Sequence, residues 1–158
     1  MKIWKYLLGG TVLLLILIQF IPNELPEVIT DNPGDLIGTG IVSDEVASML
    51  QKSCYDCHSN TTKYPWYSYV APVSWLVAKD TREGRNEVNF SIWNEYEMID
   101  KLTVLDDIYT EVKEEHMPMP IYTLMHSEAK LDAAQRQKIM EWAETTMDII
   151  AEEVDSEF

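Results

Sequence analysis

The residues best suited to chemistry lie in the stretch KSCYDCHSNTTKYPWYS, residues 52–68. It contains the only two cysteines of the chain, Cys54 and Cys57, and His58 follows directly. Cys-x-x-Cys-His is the attachment signature for c-type haem. Two thiols three positions apart on a helical turn lie on one side, where each can form a thioether with a vinyl group of the haem edge. His58 is then held near the ring face, where it can bind iron. The stretch predicts one covalently bound haem c.

Three other interpretations of the CxxC pair have less support. A thioredoxin-like redox centre expects a βαβ context, which the sequence does not suggest. A structural zinc site needs four nitrogen or sulfur ligands, and the remaining histidines, His116 and His126, are ten residues apart. A disulfide within one helical turn would close a very small loop and stabilise little. Haem attachment is therefore the favoured interpretation.

The far side of a haem iron bound by His58 needs a sixth ligand or stays open. Electron-carrying cytochromes c usually use methionine there, which raises the potential. In HMPMPIY, residues 116–122, Met117 and Met119 each precede a proline. Proline restricts the residue before it to extended backbone, so such a loop can hold a sulfur towards the ring. Met117 is the first choice and Met119 the second, while His116, His126 or an open site stay as alternatives.

The CxxCH motif is predicted to end a helix that begins after Ser43. Ser43 can cap this helix, and the two acidic residues that follow it suit the positive N-terminal end. Four residues recur at helical spacing and form one apolar stripe that includes both thiols: Val46, Leu50, Cys54 and Cys57. A single helix should therefore carry the two cysteines on its buried face.

The rest of the chain predicts further helices and no strands. A short helix is expected around Val73–Lys79, and a longer one over residues 98–115, which the prolines of HMPMPIY end. Asp132, three residues before Gln135, resembles a capping box at the start of the last helix. That helix has one apolar face: Ile139, Trp142, Ala143, Met147 and Ile150. Because no useful segment alternates apolar and polar residues, the fold class is predicted to be all-α.

Residues 1–22 are predicted to be an N-terminal transmembrane anchor. The 18 residues from Trp4 to Ile21 carry one charge, Lys5, and would span roughly 27 Å as a helix. No small-residue cleavage pattern follows them, which favours an uncleaved anchor over a signal peptide. Lys2 and Lys5 should stay inside, so the remaining chain would face the periplasmic side. Residues 23–42, rich in proline and glycine, are predicted to be a linker or irregular entry, and residues 43–158 the haem-binding domain.

The charge of the chain limits its partners. Beyond residue 22 there are 10 Lys and Arg against 27 Asp and Glu, a net charge of −17. Such a surface repels nucleic acid, whose recognition requires cationic side chains. It would speed the encounter with a basic protein, so a redox partner with a basic docking face is expected. The alternative is that the acidity only keeps the protein soluble.

The longer pattern resembles a known family. CYDCHSNTTKYPWYSYVAPVSWLVAKDTREGRNEVNFSIW followed by MPMPIYTLMHSEAKL is similar to the haem-binding domain family of small membrane-anchored bacterial proteins, over roughly residues 43–145. The resemblance implies a cytochrome c-like helical fold around a covalent haem on Cys54 and Cys57, with His58 as proximal ligand and Met117 as the methionine of the family's Met-Pro pair. It departs from the family at His116, where a glycine-acid pair often stands. Haem attachment of this kind takes place outside the cytoplasm.

Other residues have candidate roles around a haem. Arg82 and Arg85, two of the three arginines, could pair with the haem propionates or simply lie at the surface. Six aromatic side chains could wall the haem, although most are expected in the core: Tyr64, Trp66, Tyr67, Trp75, Trp93 and Tyr122.

The function expected from these features is single-electron transfer outside the cytoplasm, without enzymatic activity. Two alternatives stay open. A haem sensor or ligand-binding protein would need an open or displaceable sixth site. A peroxidase-like enzyme would need such a site together with a distal base, for which His116 is the candidate.

Overall fold

The computed structural model of the chain describes residues 2–156 and contains no β-strand among them, which confirms the all-α prediction. The α-helices of this part are α1 Lys2–Leu17, α2 Asp44–Ser53, α3 Tyr55–His58, α4 Val73–Glu87, α5 Met98–Lys113, α6 Pro120–Met125 and α7 Ala133–Ser156. Short 3₁₀ helices lie at Ile18–Phe20, Leu36–Thr39, Trp66–Tyr69, Phe90–Glu95 and Ser127–Ala129.

The core forms where α5 and α7 pack along each other and α2 packs against α7. Its largest fully buried side chains are Trp93, Phe90, Leu36, Leu50, Leu105 and Ile139. Helix α3 packs separately against α4. The CxxCH motif therefore lies between the main core and α4, so both can position it.

The predicted helix starts at Ser43 and Asp132 are confirmed by their hydrogen bonds. Ser43 Oγ accepts a hydrogen bond from the Val46 amide at 3.3 Å. At the start of α7, the Asp132 amide donates to Gln135 Oε1 at 2.9 Å and the Gln135 amide donates to Asp132 Oδ1 at 2.8 Å. The reciprocal pair satisfies two amide groups that the helix itself leaves unpaired.

The prediction of one helix carrying both cysteines is wrong. The chain breaks at Cys54, whose φ of −128° and ψ of −42° separate α2 from α3. The break turns Tyr55 inwards, where its ring stacks on Phe90 at 5.2 Å and its hydroxyl donates to Asp35 Oδ1 at 2.9 Å. Burying an aromatic ring with its hydroxyl paired outweighs the one helical turn that the break disrupts.

Helix α4 is twice as long as the predicted helix around Val73–Lys79, since it continues to Glu87. The apolar pattern fades after Ala78, and for this reason the prediction stopped there. The buried face continues with two small residues: Thr81, which is 1% exposed, and Gly84, which is buried against Cys57 of α3. A close helix contact made by small residues leaves no hydrophobic periodicity in the sequence.

Residues 23–42 lack α-helix, as an irregular entry should, and they pack on the domain. Leu36 is fully buried. The Ile29 amide donates to the Asn60 carbonyl at 2.8 Å, and Tyr64 Oη donates to the Pro26 carbonyl at 2.9 Å. This segment therefore forms one wall of the structure beside the residues that follow His58.

The N-terminal helix carries an 18-residue window, Ile3–Phe20, with a mean hydropathy of 1.8 and no buried side chains. It is long and apolar enough to serve as a membrane anchor or as a signal sequence. Beyond the end of α1, the Gln19 side chain donates to the Ala71 carbonyl and accepts from the Ala71 amide, both at 3.0 Å.

Candidate functional site

Cys54 and Cys57 are both free thiols, and both line one cavity of about 370 Å³ together with His58. They come together because α3 is a single turn that begins after Cys54. The Cys57 and His58 amides both donate to the Cys54 carbonyl, at 3.1 and 2.9 Å. This short turn therefore presents all three groups of the motif to the same space.

The environment of the thiols differs from that of a redox-active pair. Burial, with a smaller contribution from the neighbouring Cys57, raises the pKa of Cys54 to about 12. Burial and the charge of Asp56 raise the pKa of Cys57 to about 11. Reactive dithiol centres instead lower the thiol pKa so that thiolate is present near neutral pH. Among residues 2–156, no group of three or more His, Cys, Asp or Glu is arranged to hold a metal ion.

The imidazole of His58 is oriented by a backbone carbonyl of α4. Its Nδ1 lies 2.8 Å from the Gly84 carbonyl oxygen, which can only accept, so Nδ1 carries the proton. Nε2 is therefore the ring nitrogen left free to act as a ligand, and this is the usual arrangement of a metal-binding histidine. Burial lowers the pKa of His58, which favours the neutral imidazole that can act as a ligand.

Gly84 allows this contact because it has no side chain. A Cβ atom at Gly84 would lie 2.8 Å from the Cys57 carbonyl oxygen and 3.1 Å from Cys57 Cβ. The close approach of α4 to the CxxCH turn thus requires glycine at position 84. This role of Gly84 was not predicted, although the residue lies within the stretch that resembles the family.

Met117 and Met119 both lie beside the CxxCH turn. Met117 lines the cavity that contains both thiols, and also a second cavity of about 370 Å³ whose walls include Cys54, His58 and Phe90. Met119 lines the first of these cavities but not the second. Both methionines are partly buried, and Pro118 between them is buried.

The other two histidines lie elsewhere. His116 is 61% exposed and its Nδ1 is 3.5 Å from carboxylate oxygens of Glu111 and Glu114. His126 lies between Tyr67 and Glu128: its Nδ1 is 3.2 Å from Glu128 Oε1, so it donates there, and its Nε2 accepts from the Tyr67 hydroxyl. Neither histidine is among the residues that line the two cavities of His58.

Arg82 and Arg85 bind backbone oxygens of the N-terminal segment. Arg82 donates to the Glu24 carbonyl at 2.8 Å. Arg85 donates to the carbonyls of Ser59 and Glu27 at 2.8 Å and to Thr62 Oγ1 at 3.1 Å. Their guanidinium groups hold residues 24–27 against the domain, and neither arginine lines the two cavities.

The walls of the two cavities are strongly acidic. Their described lining residues include no Lys or Arg, but six carboxylates: Asp56, Asp80, Glu83, Glu87, Asp107 and Glu111. Asp56 also accepts a hydrogen bond from the Tyr122 hydroxyl at 2.8 Å, which joins α3 to α6. Tyr122 further stacks on His126 with ring centroids 4.4 Å apart. Beyond the aromatic residues themselves, no feature of the sequence predicts this link.

Of the six aromatic residues considered as haem wall or core, Trp93 is the one that is buried, with 2% of its surface exposed. Trp66 is 75% exposed. The expectation that most of them lie in the core is therefore wrong, because several surround a surface groove next to Cys57.

The side chains at this cavity fit a haem group. They are two unpaired thiols, the imidazole of His58, whose Nδ1 is hydrogen-bonded to the Gly84 carbonyl while Nε2 is free, and the thioether of Met117. An all-α domain built around such a cavity belongs to the class of helical haem proteins. The model of the haem-binding domain family matches residues 13–145, so the chain belongs to that family, and the match supports haem binding. Comparison with curated proteins finds no match, and comparison with solved structures finds none either.

Proposed function

We propose that the protein carries one haem c, bound covalently through Cys54 and Cys57, and transfers single electrons outside the cytoplasm. The observation that carries the proposal is the shared cavity of two free thiols and His58, whose Nδ1 is held by the Gly84 carbonyl. A zinc or dithiol centre would need further ligands or a lowered thiol pKa, whereas haem attachment needs only this set.

In this proposal each residue of the motif has a separate task. The two thiols hold the porphyrin as thioethers, so that a small domain does not lose it. His58 Nε2 binds iron, and the Nδ1–Gly84 hydrogen bond fixes the tautomer and orientation of the ring. When bound, the haem would supply a reversible one-electron couple, while the protein would supply the ligands and a pocket from which water is partly excluded.

Met117 is the preferred sixth ligand. It lines both cavities that His58 lines, whereas Met119 lines one of them. The alternative histidines have other contacts: His116 faces the solvent near two glutamates, and both ring nitrogens of His126 are engaged. A methionine thioether suits reduced iron and raises the potential, as an electron carrier requires.

The acidic walls support a basic redox partner. Six carboxylates line the cavities of His58, and the chain beyond residue 22 has a net charge of −17. Opposite charge on the partner would accelerate encounter at low ionic strength. In this proposal the same negative charge excludes nucleic acid as a partner.

The proposal also retains α1 as a single-pass membrane anchor and places the haem domain on the periplasmic side. The domain carries electrons and does not catalyse a reaction.

The covalent link is tested by producing the full chain in a host that matures c-type cytochromes. We expect pigment to stay with the polypeptide after acid-acetone extraction and on a denaturing gel. The double variant Cys54→Ser/Cys57→Ser should release all its pigment. The control is Ser48→Ala, a substitution in α2 away from the cavity, which should keep its pigment bound. Wild-type protein that is colourless, or that loses its pigment to solvent, would refute the proposal.

The sixth ligand is tested by the visible spectra of methionine variants. Wild-type ferric protein should show the weak long-wavelength band typical of methionine-ligated cytochromes c. Met117→Ala should remove the band and Met119→Ala should retain it. The reverse result would assign the role to Met119. Carbon monoxide binding to the native reduced wild type would instead favour a sensor with a displaceable sixth site, and peroxide turnover would favour a peroxidase-like enzyme.

A further inference from the structure

An exposed apolar face surrounds a groove of about 360 Å³ on the side of α4 where the chain enters the domain. We call it the apolar face, and it is formed by the 3₁₀ helix Trp66–Tyr69, the start of α4, and α6. Its exposed large side chains are Trp66, Tyr69, Val70, Val73, Leu76, Ile121, Leu124 and Met125. Trp66 and Leu124 are 75% and 80% exposed. Contiguous apolar surface of this kind marks an interaction site.

The apolar face is formed from chain segments that lack charge. Residues 64–78 and 117–127 contain no Asp, Glu, Lys or Arg, although 25% of the chain consists of these residues. The remainder of the domain is strongly acidic. Asp56, Lys63 and Asp80 line the groove itself, but the exposed large side chains of the face are uncharged and can leave water without the desolvation of an ion.

Hydrogen bonds join the end of the apolar N-terminal segment to this face. The Gln19 side chain donates to the Ala71 carbonyl and accepts from the Ala71 amide, both at 3.0 Å. Asn23 Nδ2 donates to the Ser74 carbonyl at 2.9 Å. Ala71 follows Val70 and Ser74 follows Val73, so the face begins at the point where α1 would leave a bilayer.

The composition of the face suits the border between lipid and water. Trp and Tyr are enriched at that level because their rings are apolar and their N–H or O–H groups can reach water. Trp66 and Tyr69 expose 75% and 67% of their surface there. The groove borders the cavity of His58, since Cys57, Met119 and Tyr122 line both. The haem site does not account for the face itself, because none of its exposed large side chains lines either cavity of His58.

We propose that the apolar face binds the surface of the lipid bilayer that α1 enters. The occupant is the headgroup and upper acyl region of zwitterionic lipid, since a domain with a net charge of −17 is repelled by anionic lipid. The inference rests on the proposed retention of α1 as a membrane helix. Contact on both sides of the Gln19–Ala71 link would orient the domain on the membrane.

The test uses the full, haem-loaded chain, one copy per phosphatidylcholine nanodisc, with a small share of photoreactive phosphatidylcholine. Labelled residues are mapped by mass spectrometry. We expect labelling of residues 66–76 and 121–125 to exceed that of Ile99 and Ile149 by at least about fivefold. These two isoleucines are matched controls, being 64% and 53% exposed on α5 and α7, away from the face.

Labelling of α1 separates the two proposals. If α1 is labelled while the apolar face is labelled no more than Ile99 and Ile149, the membrane-contact inference is wrong and the anchor stands. If α1 is cleaved or unlabelled, the proposed anchor fails as well. Discs that hold two copies test the other occupant. If the face is shielded from solvent only in these discs, and is still not labelled by lipid, a second copy of the chain covers it and the inference is refuted.

A charge variant provides an independent readout. Leu124→Glu introduces a charge at an 80% exposed position, so the fold should be retained, and labelling of Leu76 and Ile121 should fall towards control values. Ile99→Glu is the matched control and should leave that labelling unchanged. Equal labelling in both variants would contradict binding of the face to lipid.

Discussion

His58 and His126 belong to two adjoining regions with different surroundings. His58 has one nitrogen held by the Gly84 carbonyl, and its region is lined by thiols and carboxylates. His126 has both nitrogens engaged, by Tyr67 and Glu128, and its region is an apolar groove. A ligand histidine needs a fixed orientation and one free nitrogen, and only the first region offers both. The comparison shows how neighbouring cavities in one small domain can be suited to different tasks.

The largest expected effect comes from exchanging the two histidines for alanine. His58→Ala should abolish the low-spin visible spectrum of the haem-loaded protein, because iron would lose the proximal nitrogen that we propose for it. His126→Ala should retain that spectrum. Absorbance spectra of equal amounts of purified protein provide the measurement, and equal loss in both variants would end the distinction between the regions.

Gly84→Ala tests the close contact between α4 and the CxxCH turn. The added Cβ would lie 2.8 Å from the Cys57 carbonyl oxygen, a backbone atom that can move only with the turn. We expect a loss of about 2–3 kcal/mol in the free energy of unfolding, measured by denaturant titration. Gly38→Ala is the control, because a Cβ there meets no atom within 4 Å. An equally small effect at both glycines would show that the contact is not tight.

Arg85→Ala and Arg82→Ala compare a partly buried guanidinium with an exposed one. Arg85 makes three side-chain hydrogen bonds and Arg82 makes one. We expect Arg85→Ala to cost about 2 kcal/mol and Arg82→Ala about 0.5 kcal/mol or less of unfolding free energy. If both variants instead change the haem potential and leave the free energy of unfolding unaltered, pairing of the two guanidinium groups with the haem propionates would be the better explanation.

Tyr122→Phe removes the hydrogen bond to Asp56 and should cost about 1 kcal/mol near neutral pH. Burial and the bond to Asp56 raise the pKa of Tyr122 above its ordinary value of 10.0. The unfolded chain therefore releases this proton first, and wild-type stability should fall as pH rises above about 10. The phenylalanine variant lacks this loss, so the difference between the two proteins should shrink there. Denaturant titrations at neutral and alkaline pH check this, with Tyr69→Phe as an exposed control.

Much of the secondary structure follows from local sequence features. The caps at Ser43 and Asp132 and the apolar face of α7 were all predictable, because each depends on residues within a few positions of one another. The length of α4 was not, since Thr81 and Gly84 are buried by α3 and leave no apolar pattern. The break at Cys54 was also missed, because it depends on Phe90 and Asp35, which are distant in sequence from Tyr55.

For the site, the sequence by itself determined the chemical groups: two thiols and an imidazole at fixed spacing, two Met-Pro pairs and an apolar N-terminal segment. Tertiary structure alone decided which groups meet. It brings the Gly84 carbonyl to His58 Nδ1, directs Arg82 and Arg85 to the carbonyls of Glu24, Glu27 and Ser59, and joins Gln19 to Ala71. The physical reason is that reactivity is a property of residue types, whereas orientation and burial depend on contacts between segments that the sequence separates by tens of residues.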